Sequence, residues 1–229
     1  MIASARNDRV RALRRLHRTR GRRDRGCTLV EGPKLLSAAR DAGADIVEVW
    51  ADDGSGDVLC SPEVIAALST TNEPQSPVGV VTIPRWRPLR AVSTVVVWDV
   101  ADPGNVGSII RSATALGFDV ALTPACADPW SPKVVRAGAG SQFAAHLCRV
   151  TEVSELASLA TVAALPTGGS PPSAITERPL AILIGNEAHG LPAEVVAQAD
   201  SVVSLPTSGL VESLNAAVAA GILLWEFAP

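Results

Sequence analysis

The chain has 229 residues, enough for one large α/β domain or for a small domain joined to a medium one. Hydrophobic residues make up 47% and charged residues 19%, a balance that excludes a disordered or fibrous protein. Five Trp, three Phe and no Tyr leave a core to be packed from Ala, Val, Leu and Ile, as in parallel sheets covered by helices. That poverty in rings disfavours antibody-like sandwiches and RNA readers built on aromatic stacking.

The net charge of −3 hides an asymmetry, because residues 1–25 hold ten Arg against two Asp, leaving +8 there and −11 on the rest. A cationic arm on an acidic body points to an arm that meets a polyanion. With eighteen Arg and two Lys in the whole chain, the clustering is the signal rather than the choice of Arg. Cysteines 27, 60, 126 and 148 form no CxxC pair and the three His are scattered, so the expectation is reduced thiols, no metal site and no disulfide framework. The N-terminal charges are followed by no apolar stretch, and the apolar run 216–225 is too short to span a bilayer, so a cytoplasmic protein with no membrane partner is expected.

Taken in chain order, Val10, Leu13, Leu16 and His17 recur at helical spacing and predict a basic amphipathic helix over residues 7–20. Strands are predicted at 28–30, 46–50 and 78–83, with helices at 33–42, closed by Gly43, and from Pro62, with Ser61 as its cap. This α/β unit of residues 1–84 is followed by a Pro-punctuated connector, Pro84-Arg-Trp-Arg-Pro88, which opens a linker over 85–93. Beyond it, residues 94–229 read as a second domain. Its strands are predicted at 94–98, 120–123, 146–150, 161–165, 180–184 and 201–205, with helices between most of them, which argues for a parallel sheet covered on both faces.

Open parallel sheets bind ligands at the carboxyl ends of their strands, and three loops there are unusual. The first, Asp99-Val-Ala-Asp-Pro-Gly-Asn105-Val-Gly-Ser-Ile-Ile-Arg111, leads into a helix that Asn105 could cap, with Arg111 almost two turns in, a natural anion site. The second, Gly185-Asn-Glu187-Ala-His-Gly190, suits a tight loop whose backbone faces a ligand, with Glu187 at its apex. Leu191 stands where a P-loop would carry Lys, so triphosphate binding is not supported, and Gly138-Ala-Gly140 lacks the last Gly of a dinucleotide fingerprint. The third stretch, Leu205-Pro-Thr-Ser-Gly-Leu-Val-Glu-Ser213-Leu-Asn215, enters a helix apolar almost all round and therefore expected to be buried. Ser213 and Asn215 at its start need partners, and capping accounts more readily for Ser213 than for Asn215.

Together the three stretches resemble the motifs of the SpoU (TrmH-type) RNA 2'-O-ribose methyltransferases of the SPOUT superfamily, over about residues 94–227. Those motifs are an Asp-Pro-x-Asn-x-Gly turn leading to Arg, a Gly-x-Glu-x-x-Gly loop, and an Ile-Pro segment followed by Ser-Leu-Asn. Leu205 replaces the usual Ile, and Thr207 the common Met. The segment Ser131-Pro-Lys133-Val-Val-Arg136 looks like the stretch between the first two motifs. Residues 1–84 are more loosely similar to the ribosomal-protein-like substrate-binding domain often attached to these enzymes, through Asn7, the Arg-rich helix and Val30-Glu31-Gly32.

The resemblance implies an α/β fold of SPOUT type, a parallel sheet with a deep C-terminal trefoil knot, preceded by a small ribosomal-protein-like α/β domain. It also implies a homodimer, S-adenosylmethionine as cofactor and RNA as substrate, rRNA ahead of tRNA. Carried over by position, Gly185, Gly190, Leu205 and Leu214 form the cofactor pocket, with Thr167 and Gly168 beside it. Asn105, Arg111, Glu187, Ser213 and Asn215 form the catalytic set, with Glu187 orienting Arg111 or Asn105. Arg11, Arg14, Arg15, Arg18, Arg22, Arg23, Lys133 and Arg136 are the candidate RNA contacts. Two rivals stand beside this: a non-catalytic RNA-binding or ribosome-assembly factor of the same fold, whose mark would be a lost motif residue, and a tRNA base methyltransferase, against which Asn105, Arg111 and Ser-Leu-Asn argue.

Overall fold

The structure, a computed structural model, describes residues 1–228. It divides into two compact units, residues 1–85 with 128–144, and residues 86–127 with 145–228.

In the first unit, α1 (Asp8–Arg14) is capped by the Asn7 side chain, which accepts from the Arg9 N–H. The helix expected over 7–20 is interrupted: residues Arg15–His17 tighten into a 3-10 turn, Arg18 is extended, and α2 (Thr19–Arg25) begins anew. Val10, Leu13 and Leu16 are fully buried, so this basic segment is part of the core and not an arm. β1 (Cys27–Glu31), α3 (Pro33–Asp41), β2 (Ile46–Ala51), β3 (Val58–Leu59), α4 (Pro62–Leu68) and β4 (Val78–Thr82) complete it. α3 starts where Gly32 takes φ 89° before Pro33 and stops at Gly43, φ 73°. Ser61 precedes α4 as expected, but its hydroxyl donates to the Ala3 carbonyl and caps nothing. The sheet order is β1-β4-β2-β3, antiparallel except for the β2/β3 pair.

In the second unit, β5 (Thr94–Val97), α5 (Pro103–Ala115) and β6 (Asp119–Leu122) follow in turn. The chain then returns to the first unit, where α6 (Pro132–Ala137) lies and the Thr28 hydroxyl donates to the Trp130 carbonyl at 2.6 Å. Residues 128–144, expected in the second domain, pack with the first, because Trp130, Val134, Val135 and Phe143 bury there. β7 (Leu147–Arg149), β8 (Ala160–Ala164), β9 (Leu180–Ile184), α7 (Ala193–Gln198), β10 (Ser201–Val203) and α8 (Ala216–Glu226) complete the second unit.

Its six strands are all parallel, in the order β10-β8-β9-β5-β6-β7. The central strands read Thr-Val-Val-Val and Leu-Ala-Ile-Leu-Ile and are buried at every position, the continuous apolar run of strands covered on both faces. Each fully buried Leu or Ile contributes roughly 1.5–3 kcal/mol, so these rows fix the register that aligns the carboxyl ends of β5, β8, β9 and β10. Residues 86–90, expected to be linker, are bound along β7: the Arg87 N–H donates to the Leu147 carbonyl at 2.9 Å.

Candidate active site

The loops that leave β8, β9 and β10, with the start of α8, meet around a cavity of about 530 Å³. That is the size and position expected of a small-ligand site on an open parallel sheet. Its wall is formed by residues 185–190 together with Leu165, Pro166, Leu205 and Thr207, and the segment 213–216, with a partly exposed Leu214, borders it.

The loop after β9 folds on itself. The Asn186 N–H donates to the Gly190 carbonyl at 3.1 Å, and the Gly190 N–H returns to the Asn186 carbonyl at 2.8 Å. A Cβ on Gly185 would lie 2.4 Å from the Gly190 carbonyl carbon, so only glycine lets this loop close. Asn186, which sequence reasoning passed over, caps the turn by accepting from the Ala188 and His189 N–H groups and donates to the Asp99 carbonyl at 2.7 Å. Asp99 itself adopts φ 55°, a left-handed conformation rare outside glycine, held by its exchange of hydrogen bonds with the Thr123 hydroxyl.

Glu187 turns its carboxylate onto the first loop rather than outward. It accepts from the Ala101 N–H at 3.1 Å, the Asp102 N–H at 3.1 Å and the Asn105 side-chain amide at 2.8 Å. Partial burial raises its pKa, but the bonds from Asn105 and the two backbone amides outweigh it and hold the carboxyl below the usual carboxylate range. Of the two partners expected for Glu187, the structure pairs it with Asn105.

Asn105 is not the cap of α5. Asp102 is, accepting from the Asn105 N–H at 2.9 Å, which leaves the Asn105 side chain available to Glu187 and, through its oxygen, to Asn215 at 3.0 Å. Asn215 in turn caps α8, accepting from the Ala217 and Val218 N–H groups. The expected roles are thus reversed, since Asn215 is the cap and Ser213 is an exposed residue on the cavity wall. Three loops far apart in sequence are stitched by one polar chain, Glu187 to Asn105 to Asn215.

The remaining expected residues separate. Gly185, Gly190, Leu205 and Leu214 line the cavity; Thr167 and Gly168, the latter at φ 83°, lie outside its lining, which on that segment ends at Pro166. Arg111 is exposed on α5, outside the cavity lining, and forms no ion pair among the described residues. Arg11, Arg14, Arg15, Arg18, Arg23 and Lys133 are exposed and Arg136 is half-buried, bonded to the Thr70 hydroxyl. Arg22 is a correction: it is 2% exposed and bound to Asp128, the Leu16 carbonyl and the Thr19 hydroxyl, so it holds the fold and is closed to RNA.

α8 also departs from expectation. It is apolar all round but buries only Ala220, Leu223 and Leu224, leaving Val218, Ile222 and Trp225 exposed at 51%, 40% and 71%. With Ala115 and Leu116 of α5 and its end, they form an open apolar face. Among the described residues no cluster of His, Cys, Asp or Glu could hold a metal ion, and no helix is long and apolar enough to cross a membrane.

Compared with known proteins, residues 93–225 match the SpoU rRNA methylase family and residues 7–79 an MRM3-like substrate binding domain. An uncharacterized tRNA/rRNA methyltransferase of Synechocystis sp. is 33% identical, over 98% of this chain and 92% of its own length. The 23S rRNA (guanosine(2553)-2'-O)-methyltransferase of Bacillus subtilis is 29% identical over 98% of both chains. The AdoMet-bound rRNA methyltransferase from Sinorhizobium meliloti superposes with a TM-score of 0.87 at 30% identity, covering 98% of this chain and 95% of that one.

Proposed function

The chain belongs to the SpoU rRNA methylase family, and from that premise we propose that it methylates a ribose 2'-hydroxyl in structured RNA, ribosomal RNA ahead of tRNA, with S-adenosylmethionine as the methyl donor. The observation that carries this is the chain of hydrogen bonds from Glu187 through Asn105 to Asn215 beside the cavity, since it locks the three loops into one arrangement. The cavity fits the donor by its own chemistry. Leu205, Leu214 and Leu223 offer an apolar wall, and the backbone of the 185–190 loop offers peptide donors and acceptors to the polar edges of a nucleoside.

The donor supplies a methyl group on a sulfonium whose leaving thioether is neutral, so no acid is needed to expel it. The difficulty lies with the hydroxyl, a poor nucleophile. Arg111 does not serve as a base, because a guanidinium is not deprotonated in proteins; it stabilises the developing alkoxide or holds the adjacent phosphate, and the hydroxyl proton passes to water as the oxygen–methyl bond forms and the sulfur–methyl bond breaks. Ser213 and Asn215 position the ribose. Glu187 fixes Asn105 and is a positioning residue.

Exposed Arg11, Arg14, Arg15, Arg18 and Arg23, with Lys133 and Arg136, supply phosphate affinity in a cytoplasmic protein. The apolar face of α5 and α8 supports a homodimer that buries it. A trefoil knot is supported by the exit from β10, where the Ser204 N–H donates to the Ser170 carbonyl and the Ser204 hydroxyl to the Leu165 carbonyl. A Cβ on Gly169 would lie 2.5 Å from the Val203 carbonyl carbon, so the two segments, paired in parallel at Ser170 and Val203, touch backbone to backbone.

Incubating the purified protein with labelled donor and unmodified ribosomal RNA, then digesting to nucleosides, tests the proposal. Label in a 2'-O-methylnucleoside supports it, label in a base favours the base-methyltransferase rival, and no transfer favours a non-catalytic factor.

A further inference from the structure

The connector after the first unit is mounted rigidly on the outer strand of the parallel sheet. Besides the Arg87 bond to Leu147, the His146 ring meets the Pro88 carbonyl at 2.9 Å and Arg90 grips Asp119 through bonds of 2.6 and 2.7 Å. These bonds set the Trp86 ring beside Arg149, the last residue of β7. The guanidinium carbon of Arg149 stands 4.4 Å from the ring centroid.

Register places this pair on the edge that carries the cavity. Arg149 is the partner of Leu122, Leu122 of Val97, and Val97 of Ile184, which immediately precedes Gly185. With about 4.8 Å between strands, Arg149 lies roughly 10 Å along that edge from the start of the first loop and about 14 Å from Gly185.

Arg149 and Arg87 are exposed, Trp86 is half-buried, and neither arginine has an ion pair among the described residues. The nearby Glu155 is occupied by the Thr151 hydroxyl and by two backbone amides, and Glu152 accepts from the Ser154 hydroxyl. Four hydrogen bonds already anchor the connector, so the Arg149–Trp86 stack is not needed to hold it.

We propose that Trp86, Arg87 and Arg149 form a second RNA-binding surface, on the methyltransferase unit itself, that holds an unpaired stretch of the substrate beside the target nucleotide. The inference rests on the RNA-methylation reading above. A guanidinium already lying on an indole is oriented in advance and offers its outer face to a base, while its N–H groups and Arg87 meet phosphates. Such a surface tolerates any base, because every base has a flat face to stack.

The test uses the full chain with Arg149→Gln, Arg149→Lys, Trp86→Leu and the double variant Trp86→Leu/Arg149→Gln. It reads KM and kcat for transfer to unmodified ribosomal RNA, donor affinity by calorimetry, and binding of oligouridylate as a probe of single strands. Arg149→Gln and Trp86→Leu are expected to raise the KM for RNA and the oligouridylate Kd about tenfold, with donor affinity kept. The double variant is expected to be little worse than either single one, since the pair acts as a unit, and Arg149→Lys to recover only the salt-dependent part. RNA KM values within about twofold of the parental protein overturn the inference, as does joint loss of donor binding, which assigns the pair to anchoring. A parental protein that neither binds oligouridylate nor methylates RNA overturns the functional reading itself, and this inference with it.

Discussion

The side-chain amide of Asn215 donates to the side-chain oxygen of Asn105 at 3.0 Å, across 110 positions of sequence. Each amide uses both of its ends, Asn215 also capping α8 and Asn105 also donating to Glu187, so neither can be replaced by a residue with only donors or only acceptors. Asn215→Asp keeps a capping oxygen at a helix N-terminus and loses the N–H toward Asn105. Thermal unfolding is expected to stay within about 1 kcal/mol of the parental protein while methyl transfer falls sharply. Transfer at the parental rate would show that the link is dispensable.

Gly185→Ala places a Cβ 2.4 Å from the Gly190 carbonyl carbon, and backbone cannot yield as a side chain can. Calorimetry is expected to show loss of S-adenosylmethionine binding. The expected folding cost is at least the roughly 1–3 kcal/mol of an overpacked site. Donor affinity equal to the parental value would remove this loop from the pocket.

Glu187 has a folded pKa below that of a free carboxyl, so its stabilising contribution is fully present above the unfolded value and is lost as pH falls through the folded one. Comparing thermal unfolding of the parental protein and Glu187→Gln from neutral pH downward should show a stability gap that is constant near neutrality and closes only under acid conditions, below about pH 4.5. A gap that closed between pH 8 and pH 6 would assign the effect to another group.

Arginines in the N-terminal segment divide by burial. Arg22→Met leaves Asp128 without its partner and is expected to lower stability by roughly 3 kcal/mol. Arg14→Gln and Arg15→Gln, at exposed positions, are expected to leave unfolding unchanged and to reduce the slope of log K against log salt by about 0.7–0.9 for each phosphate that is no longer neutralised. Deleting residues 1–25 cannot make this distinction, because Val10, Leu13 and Leu16 belong to the core and the unit would unfold. An unchanged slope in the Gln variants would mean that these side chains face only solvent.

Much of the second unit is legible in the sequence because its strands are continuous Val, Ile and Leu runs broken by Gly and Pro, a pattern that local physics reads directly. The β9 segment Leu180–Ile184 falls where the sequence predicts it. What escapes depends on interactions between distant residues. Nothing local distinguishes Arg22 from its exposed neighbours, since its burial comes from Asp128, 106 positions away. Asn105 reads as a helix cap, yet Asp102 takes that place, and Asn186 reads as an ordinary loop residue although it holds Asp99. Likewise an apolar helix signals burial without saying by what, and α8 leaves one face open.

Arg111, exposed and without an ion pair among the described residues, carries the proposed charge at the reacting hydroxyl. Arg111→Ala is expected to keep donor binding and lower transfer by about two orders of magnitude, the scale of losing one transition-state donor. The most direct measurement is a map of 2'-O-methyl marks in RNA from cells with and without the gene, complemented by the parental chain or by Arg111→Ala. The account predicts a ribose mark that disappears with the gene, returns with the parental chain and stays depleted with Arg111→Ala. Identical ribose-methylation maps with and without the gene would contradict it.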